Sequence, residues 1–378
     1  MTEHNNGLLP ADIVLAPEWW HAQEGISFDR DFFFHPARRV EDEQKMERAL
    51  YERWGAFGLG DNRNERRAEI GAVHLAAGYL VSEMLGCRVE YSENHPPQVI
   101  TAERDDLELD VDAAFQSEAF LSLMALVDQL KKKHSRLYGD INFGGILNVA
   151  MDLRGEAMFM DMFDKPEQAS AFFGKIHEVI TRFVDYVQGQ SGTSSISVNR
   201  TVRHLHETLF LHSVCSCTMV SAEDYERFLL PFDSAWSERY RPFGIHYCGN
   251  DAHRHVESFA KLPHLEFLDV GWGGDVKILR EHLPDTFLNI RLSPVELVHQ
   301  TPDEVSQTIR RLAADSGDLQ KTGVCCINMD ANVPDANITA IFETAATLRC
   351  EHKEAGNDAE RETMKTPSSP GMILGKNS

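Results

Sequence analysis

The chain has 378 residues, 42% apolar and 25% charged, a composition that excludes a disordered or fibrous protein. Its 37 lysines and arginines against 59 aspartates and glutamates give a formal charge of -22, which argues against nucleic acid and against an anionic membrane surface as partners, since both are bound mainly through Lys and Arg. Seven cysteines are too few for a disulfide scaffold, and no run of about 18 uncharged apolar residues is present to span a membrane.

The opening stretch MTEHNNGLLPADIVLAPEWW has no basic region, and its apolar part is interrupted by Pro10, Asp12 and Pro17, unlike a signal peptide. The expectation is a cytoplasmic protein with reduced thiols, where cysteine more often serves metal binding or catalysis than crosslinking. Helical spacing then runs over residues 42–57 and 67–85, and more loosely over 112–133. Pro166 opens a long helix to residue 190, with proline at the favoured first turn. After a loop of small polar residues at 192–197, Ser221 is placed to cap a helix whose first turn is acidic. From there short strands (243–248, 265–271, 287–292, 323–329) alternate with helices (near 252–261, 275–283, 302–314, 336–348), and residues 136–143 form an earlier strand. Such alternation implies a parallel sheet, and the α/β fold expected is a closed (β/α)8 TIM barrel. An open doubly wound sheet is the alternative, but no GxGxxG turn supports its nucleotide-binding form. The organisation expected is an N-terminal helical extension packing on the barrel (1–64), the barrel itself (65–350) and a disordered tail (351–378).

The densest chemistry lies in Phe243-Gly-Ile-His-Tyr-Cys-Gly249. Strand side chains alternate, so Phe243, Ile245 and Tyr247 pack under the helices while His246 and Cys248 point inward. They do so at the C-terminal end of the strand, where βα barrels carry their active sites. An imidazole and a thiolate so placed are ligand types that zinc prefers. Gly323-Val-Cys-Cys-Ile-Asn-Met-Asp330 supplies a third: with apolar Cys325, Ile327 and Met329 facing the helices, Val324, Cys326, Asn328 and Asp330 face inward, so alternation favours Cys326 over Cys325. Three protein ligands leave the fourth position open, as in a catalytic site. The segment Arg203-His-Leu-His-Glu-Thr-Leu-Phe-Leu-His-Ser-Val-Cys-Ser-Cys217 is also rich in metal-type donors, namely His204, His206, His212, Cys215 and Cys217, and is a further source of ligands or a second site.

The His246-x-Cys248 pair with a late cysteine resembles the H-x-C…C zinc site of corrinoid-dependent methyltransferases in the uroporphyrinogen decarboxylase superfamily. Other segments carry the same resemblance. Asp140-Ile-Asn-Phe-Gly-Gly-Ile-Leu147 is similar to the family's double glycine before a helix, and Val220-Ser-Ala-Glu-Asp-Tyr-Glu-Arg-Phe-Leu-Leu-Pro231 to its "SPE.Y..F..P" helix. Leu292-Ser-Pro-Val-Glu-Leu-Val-His-Gln-Thr-Pro-Asp-Glu-Val305 resembles its "P..L..GTPEEV" stretch, and Glu83-Met-Leu-Gly86 a helix end. The resemblance implies a barrel of the uroporphyrinogen decarboxylase type and a zinc enzyme that moves a methyl group from a corrinoid, carried by a partner protein, to a small thiol. Two departures matter. The arginine-rich N-terminal segment of true porphyrinogen decarboxylases is replaced by Pro17-Glu-Trp-Trp-His-Ala-Gln-Glu24, without arginine, and a polyanionic porphyrinogen would meet a protein of charge -22. Arg291 stands where the family often has asparagine, and as an inward arginine it is a candidate for gripping a carboxylate or sulfonate, or for a salt bridge to Asp269. Glu83 is the candidate fourth ligand, and Asp269 is expected to orient substrate or His246. Asn142, Asn289 and Asn328 are the candidate substrate contacts. The rival readings are a metal-independent decarboxylase or lyase using Asp269 and Arg291, and a non-catalytic corrinoid- or metal-binding accessory protein.

Overall fold

A computed structural model describes residues 7–62, 68–70, 79–134, 137–139, 142–191 and 209–365. The chain forms ten strands among these residues: β1 (Ala11–Leu15), β2 (Ala68–Ile70), β3 (Arg88–Glu90), β4 (Gln98–Ile100), β5 (Leu137–Gly139), β6 (Phe210–Ser213), β7 (Phe243–Tyr247), β8 (Phe267–Val270), β9 (Phe287–Leu292) and β10 (Thr322–Met329). Six of them build one wholly parallel, curled sheet in the order β1-β10-β9-β8-β7-β6. β2 and β5 form a second parallel pair, and β3 and β4 an antiparallel hairpin. Excluding the hairpin, eight strands run parallel, six in one sheet and two in the other, so the described architecture is α/β and barrel-like. No helix among the described residues is long and apolar enough to cross a membrane.

A parallel sheet covered by helices on one side and packed on the other leaves almost no exposed strand residue. All five residues of β7, all four of β8 and seven of the eight in β10 are buried. The outward side chains Phe243, Ile245, Tyr247, Leu268, Leu288 and Ile290 join one continuous core with the covering helices, among them Pro166–Ser191, whose buried face includes Phe172, Phe173, Ile176 and Phe183. Local signals agree with the elements. Ser221 accepts from the backbone of Asp224 and caps the helix Ala222–Phe228, and Thr301 and Glu304 form a reciprocal capping box at Pro302–Ser316.

Register sets the inner face. Across β6 to β10 the matched residues are Ser213, His246, Asp269, Asn289 and Gly323, one row of side chains on the same side of the sheet. The next row pairs Arg291 with Cys325. Cys325 therefore faces inward, with Val14 and Ile327, whereas Cys326 lies in the outer core. This reverses the phase expected from sequence, in which Cys326 was inward and Cys325 and Ile327 outward. The apolar Val-Cys-Cys-Ile run offered no polar residue to set that phase.

Two further differences concern the ends. The N-terminal segment is more than a helical layer: β1 is the edge strand of the main sheet and pairs with β10, with Ala11, Asp12 and Ile13 matched to Val324, Cys325 and Cys326. At the other end, the helix Asp335–Lys365 continues past residue 351, where a disordered tail was expected.

The double glycine at residues 144–145 has a packing reason. A Cβ on Gly145 would lie 1.7 Å from the Ser213 carbonyl oxygen and 2.8 Å from His212 Nε2, so the helix Ile146–Arg154 can start against β6 only from a glycine. His212 uses that contact, accepting from the Ile146 amide at 3.2 Å, while its Nδ1 donates to Asp233 at 2.6 Å and Tyr225 donates to the same carboxylate at 2.6 Å. Gly145→Ala is expected to destabilise the protein by roughly 1–3 kcal/mol through this clash. Gly189→Ala, in an exposed helical position with nothing within 4 Å, should instead stabilise it by about 0.8–1 kcal/mol. Denaturant unfolding of the two variants would check the opposite signs.

Candidate metal centre

Three donor groups meet at the C-terminal end of the sheet. Cys215 Sγ, a ring nitrogen of His246 and Cys248 Sγ all lie within 4.8 Å of one another, the one such group of three among the described residues. His246 ends the inward row of β7, and Cys248 follows one residue beyond the strand. Cys215 comes from the next chain segment. β6 ends at Ser213, the Val214 amide still donates to the His246 carbonyl at 2.8 Å, and the chain then turns into the 3-10 helix Cys215–Met219. That turn carries Cys215 across to β7.

The imidazole is fixed from behind. Asp269, wholly buried on β8, accepts from His246 Nδ1 and from Asn289 Nδ2 at 2.9 Å. Nε2 is left toward the sulfurs, 3.0 Å from Cys248 Sγ. A carboxylate–histidine arrangement of this kind sets the tautomer and orientation of a metal-ligating ring. Burial pushes His246 down, and the opposing pull of the Cys248 and Asp269 charges outweighs it, to about 9 in the absence of an ion. Burial raises the Asp269 carboxyl, but Arg291 and His246 hold it below its ordinary value. The two thiols are driven apart: hydrogen bonding from Cys248 brings Cys215 down to about 7, and the same contact, with burial, lifts Cys248 to about 12.

Arg291 is nearly buried and most of its reach is spent on backbone. Nη2 donates to the Tyr247 carbonyl at 2.6 Å and Nε to the Val270 carbonyl at 3.3 Å, with Asp269 Oδ1 4.0 Å from Nε. It thus ties the ends of β7 and β8 together while lining the cavity. Glycines let those ends approach: a Cβ on Gly271 would sit 2.1 Å from the Gly249 carbonyl oxygen.

The donors open into a cavity of about 660 Å3 whose wall includes Asn142, Asn148, Trp272, Arg291, Asn328 and Asp330. Asn142 is buried, and its Nδ2 has no hydrogen-bond partner among the described residues. A buried amide donor left unpaired costs about 1–3 kcal/mol. Asn328 reaches the wall because its positive φ of 62° breaks the strand alternation.

Of the residues expected from sequence, His246 and Cys248 meet, and Asn142, Asn328 and Arg291 line the same cavity. Cys326 does not join them: its thiol points toward the Leu292 carbonyl, 3.6 Å away, within the outer core. Cys325 is inward but one row aside, receiving the Asn289 amide at 3.3 Å. Asn289 is therefore an internal support instead of a cavity contact. Asp269 likewise acts on His246 from beneath. Glu83 is outside the cavity wall and accepts from Tyr91 at 3.3 Å, burial raising its pKa. Within the ligand-rich segment, His212 and Cys217 are internal, and His204 and His206 lie outside the described residues. Cys215 is the candidate ligand that strand alternation missed. The density of metal-type donors in its segment was the signal for it.

A profile of the uroporphyrinogen decarboxylase (URO-D) family matches residues 71–347. Among solved structures, the fold is similar to a methyltransferase from Methanosarcina mazei, with a TM-score of 0.63 and 14% identity over 90% of this chain and 94% of that one. No curated protein matches the sequence significantly.

In metal-free protein Cys215 should be the most readily alkylated of the buried or half-buried thiols, its rate rising with pH and half-maximal near 7, because the thiolate is the reacting form. Cys87, buried and pushed up to about 12, should stay unreacted over the same range. Iodoacetamide labelling followed by peptide mass analysis would measure both.

Proposed function

Starting from a chain that belongs to the uroporphyrinogen decarboxylase family, we propose a zinc-dependent methyltransferase that takes a methyl group from a methylated corrinoid, carried by a partner protein, and gives it to a small thiol. The observation that carries this reading is the convergence of Cys215, His246 and Cys248 on one open cavity. The donor set fits the ion. Tetrahedral zinc with Zn–S bonds near 2.3 Å holds two sulfurs roughly 3.8 Å apart, so donors within 4.8 Å need to move only a little. Two cysteines and one histidine leave a fourth position for a substrate. When bound, zinc would deprotonate a coordinated thiol that in water is thiolate to only about 3% at pH 7.

The chain's own residues do the rest. Cys215 and Cys248 as thiolates with a neutral His246 would balance the charge of a bound divalent ion, so that a substrate thiolate held there would carry the excess negative charge that keeps its sulfur nucleophilic. Asp269 accepts from His246 Nδ1, so that Nε2, the ring nitrogen facing the sulfurs, is the one that would ligate the ion. Arg291 offsets Asp269 and fixes the strand ends. Trp272 and Phe143 supply apolar wall, and the unpaired Asn142 amide offers a donor to the acceptor molecule. The -22 charge and the lack of arginine in Pro17–Glu24 oppose a porphyrin substrate.

Metal analysis of protein purified without added zinc should find about one zinc per chain, as expected for a single three-ligand site. Cys215→Ala and Cys248→Ala should each lose it, together with thiol methylation from free methylcobalamin, while Cys326→Ala keeps both. Wild-type protein without metal would favour the lyase, and metal without single-turnover demethylation would favour an accessory protein. Asn142→Leu should raise KM for the thiol about tenfold, the worth of one hydrogen bond, with zinc content unchanged. Steady-state kinetics over a range of thiol concentrations would check it.

A further inference from the structure

The Cys215 turn is held at both ends, and the two holds differ in what they reach. Its far end is gripped through carbonyls: Arg254 Nη2 donates to the Thr218 oxygen at 2.9 Å and the Cys217 oxygen at 3.3 Å, and His255 Nε2 meets the Cys217 oxygen at 3.2 Å. Its near end, beside the ligand itself, is held by a side chain from another element. The Ser216 amide donates to Asn148 Oδ1 at 2.9 Å, across 68 residues of sequence. The first amides of any helical turn lack partners within it, and a side-chain oxygen usually caps them locally. Here Val214 precedes the turn and gives no side-chain cap.

Asn148 is free to do this because its own helix does not need it. The helix Ile146–Arg154 is anchored at its start by His212, which accepts from the Ile146 amide, and His212 is locked in turn by Asp233 and Tyr225. Asn148 therefore stands on a fixed base, in the first turn of that helix, and lines the cavity wall. Accepting with Oδ1 also orients its amide, leaving Nδ2 directed away from the turn.

We propose that Asn148 is a positioning residue for the metal centre, a tertiary cap that holds the Cys215 sulfur within reach of His246 and Cys248. This rests on the zinc reading of that triad. The Val214 amide on the His246 carbonyl and the Ser213 and Thr218 hydroxyls on Cys215 also hold that end, but these groups belong to the same strand end and turn. Without the cap the turn loses its tie to the helix Ile146–Arg154, and the Cys215 sulfur is held less firmly toward the set. Removal of a support of this kind typically weakens metal affinity by about 10–100-fold.

The test is zinc affinity of the full chain by competition with a chromophoric chelator. Asn148→Leu, close in size but without an acceptor, should bind zinc about 10–100-fold more weakly than wild type. Asn148→Asp, which restores the acceptor, should recover most of that loss. In a Cys215→Ala background, whose weak residual binding through His246 and Cys248 is read at higher zinc concentrations, Asn148→Leu should have no further effect, because the cap acts through that sulfur, whereas a general loss of packing would add to it. Equal affinity of Asn148→Leu and wild type, or additivity in the double variant, overturns the cap. Should Asn148→Leu fail to fold, Asn148→Ala carries the same comparison. If Cys215→Ala itself binds zinc as wild type does, it is the metal reading that fails, and the two failures are distinct.

Discussion

The buried bond between Asp269 and His246 is the constraint on which the centre depends. It exists because parallel pairing matches the two residues across β7 and β8 and sends both side chains inward. A carboxylate with no exposure is costly unless its charge is answered. Here His246, Asn289 and Arg291 answer it from three directions. The row beneath the cavity is thus a layer in which the buried charge is paired and one ring nitrogen is presented upward.

Above that layer, small residues decide what can come together. Gly271 lets the loops after β7 and β8 touch backbone to backbone, Gly249 leaves room for the Thr218 and Tyr247 side chains, and Gly145 lets a helix begin against β6. Cys248, Arg291 and the Cys215 turn are brought to one cavity by these close approaches. The side chains with chemistry are few, and glycine supplies the space between them.

Much of this was legible in sequence where polar and apolar residues alternate. Phe-Gly-Ile-His-Tyr in β7 and Leu-Asn-Ile-Arg-Leu in β9 announce their inner face, since a histidine, an asparagine and an arginine each stand between hydrophobes. β10 gives no such cue: both faces are buried and Val-Cys-Cys-Ile is apolar throughout, so only pairing with β9 sets its phase. β1 is harder still, because its partner lies near the opposite end of the chain. Cys215 is on no strand, and its approach to His246 is a property of a turn held from elsewhere. Local pattern reports which way a residue points, and tertiary support reports what it meets.

One feature of the ligand set reaches beyond chemistry. Among the described residues β6 is the last strand of the six-stranded sheet, hydrogen-bonded within it to β7, and the candidate ligands lie on β7 itself (His246), just past its end (Cys248) and just past the end of β6 (Cys215). An ion shared by Cys215 on one side and His246 with Cys248 on the other would rivet that edge shut at its open end. Binding that favours the folded chain adds to its stability in proportion to the logarithm of ligand concentration. The same ion would thus serve as a fastener for the sheet margin, and the loss of metal would be felt first as fraying of β6.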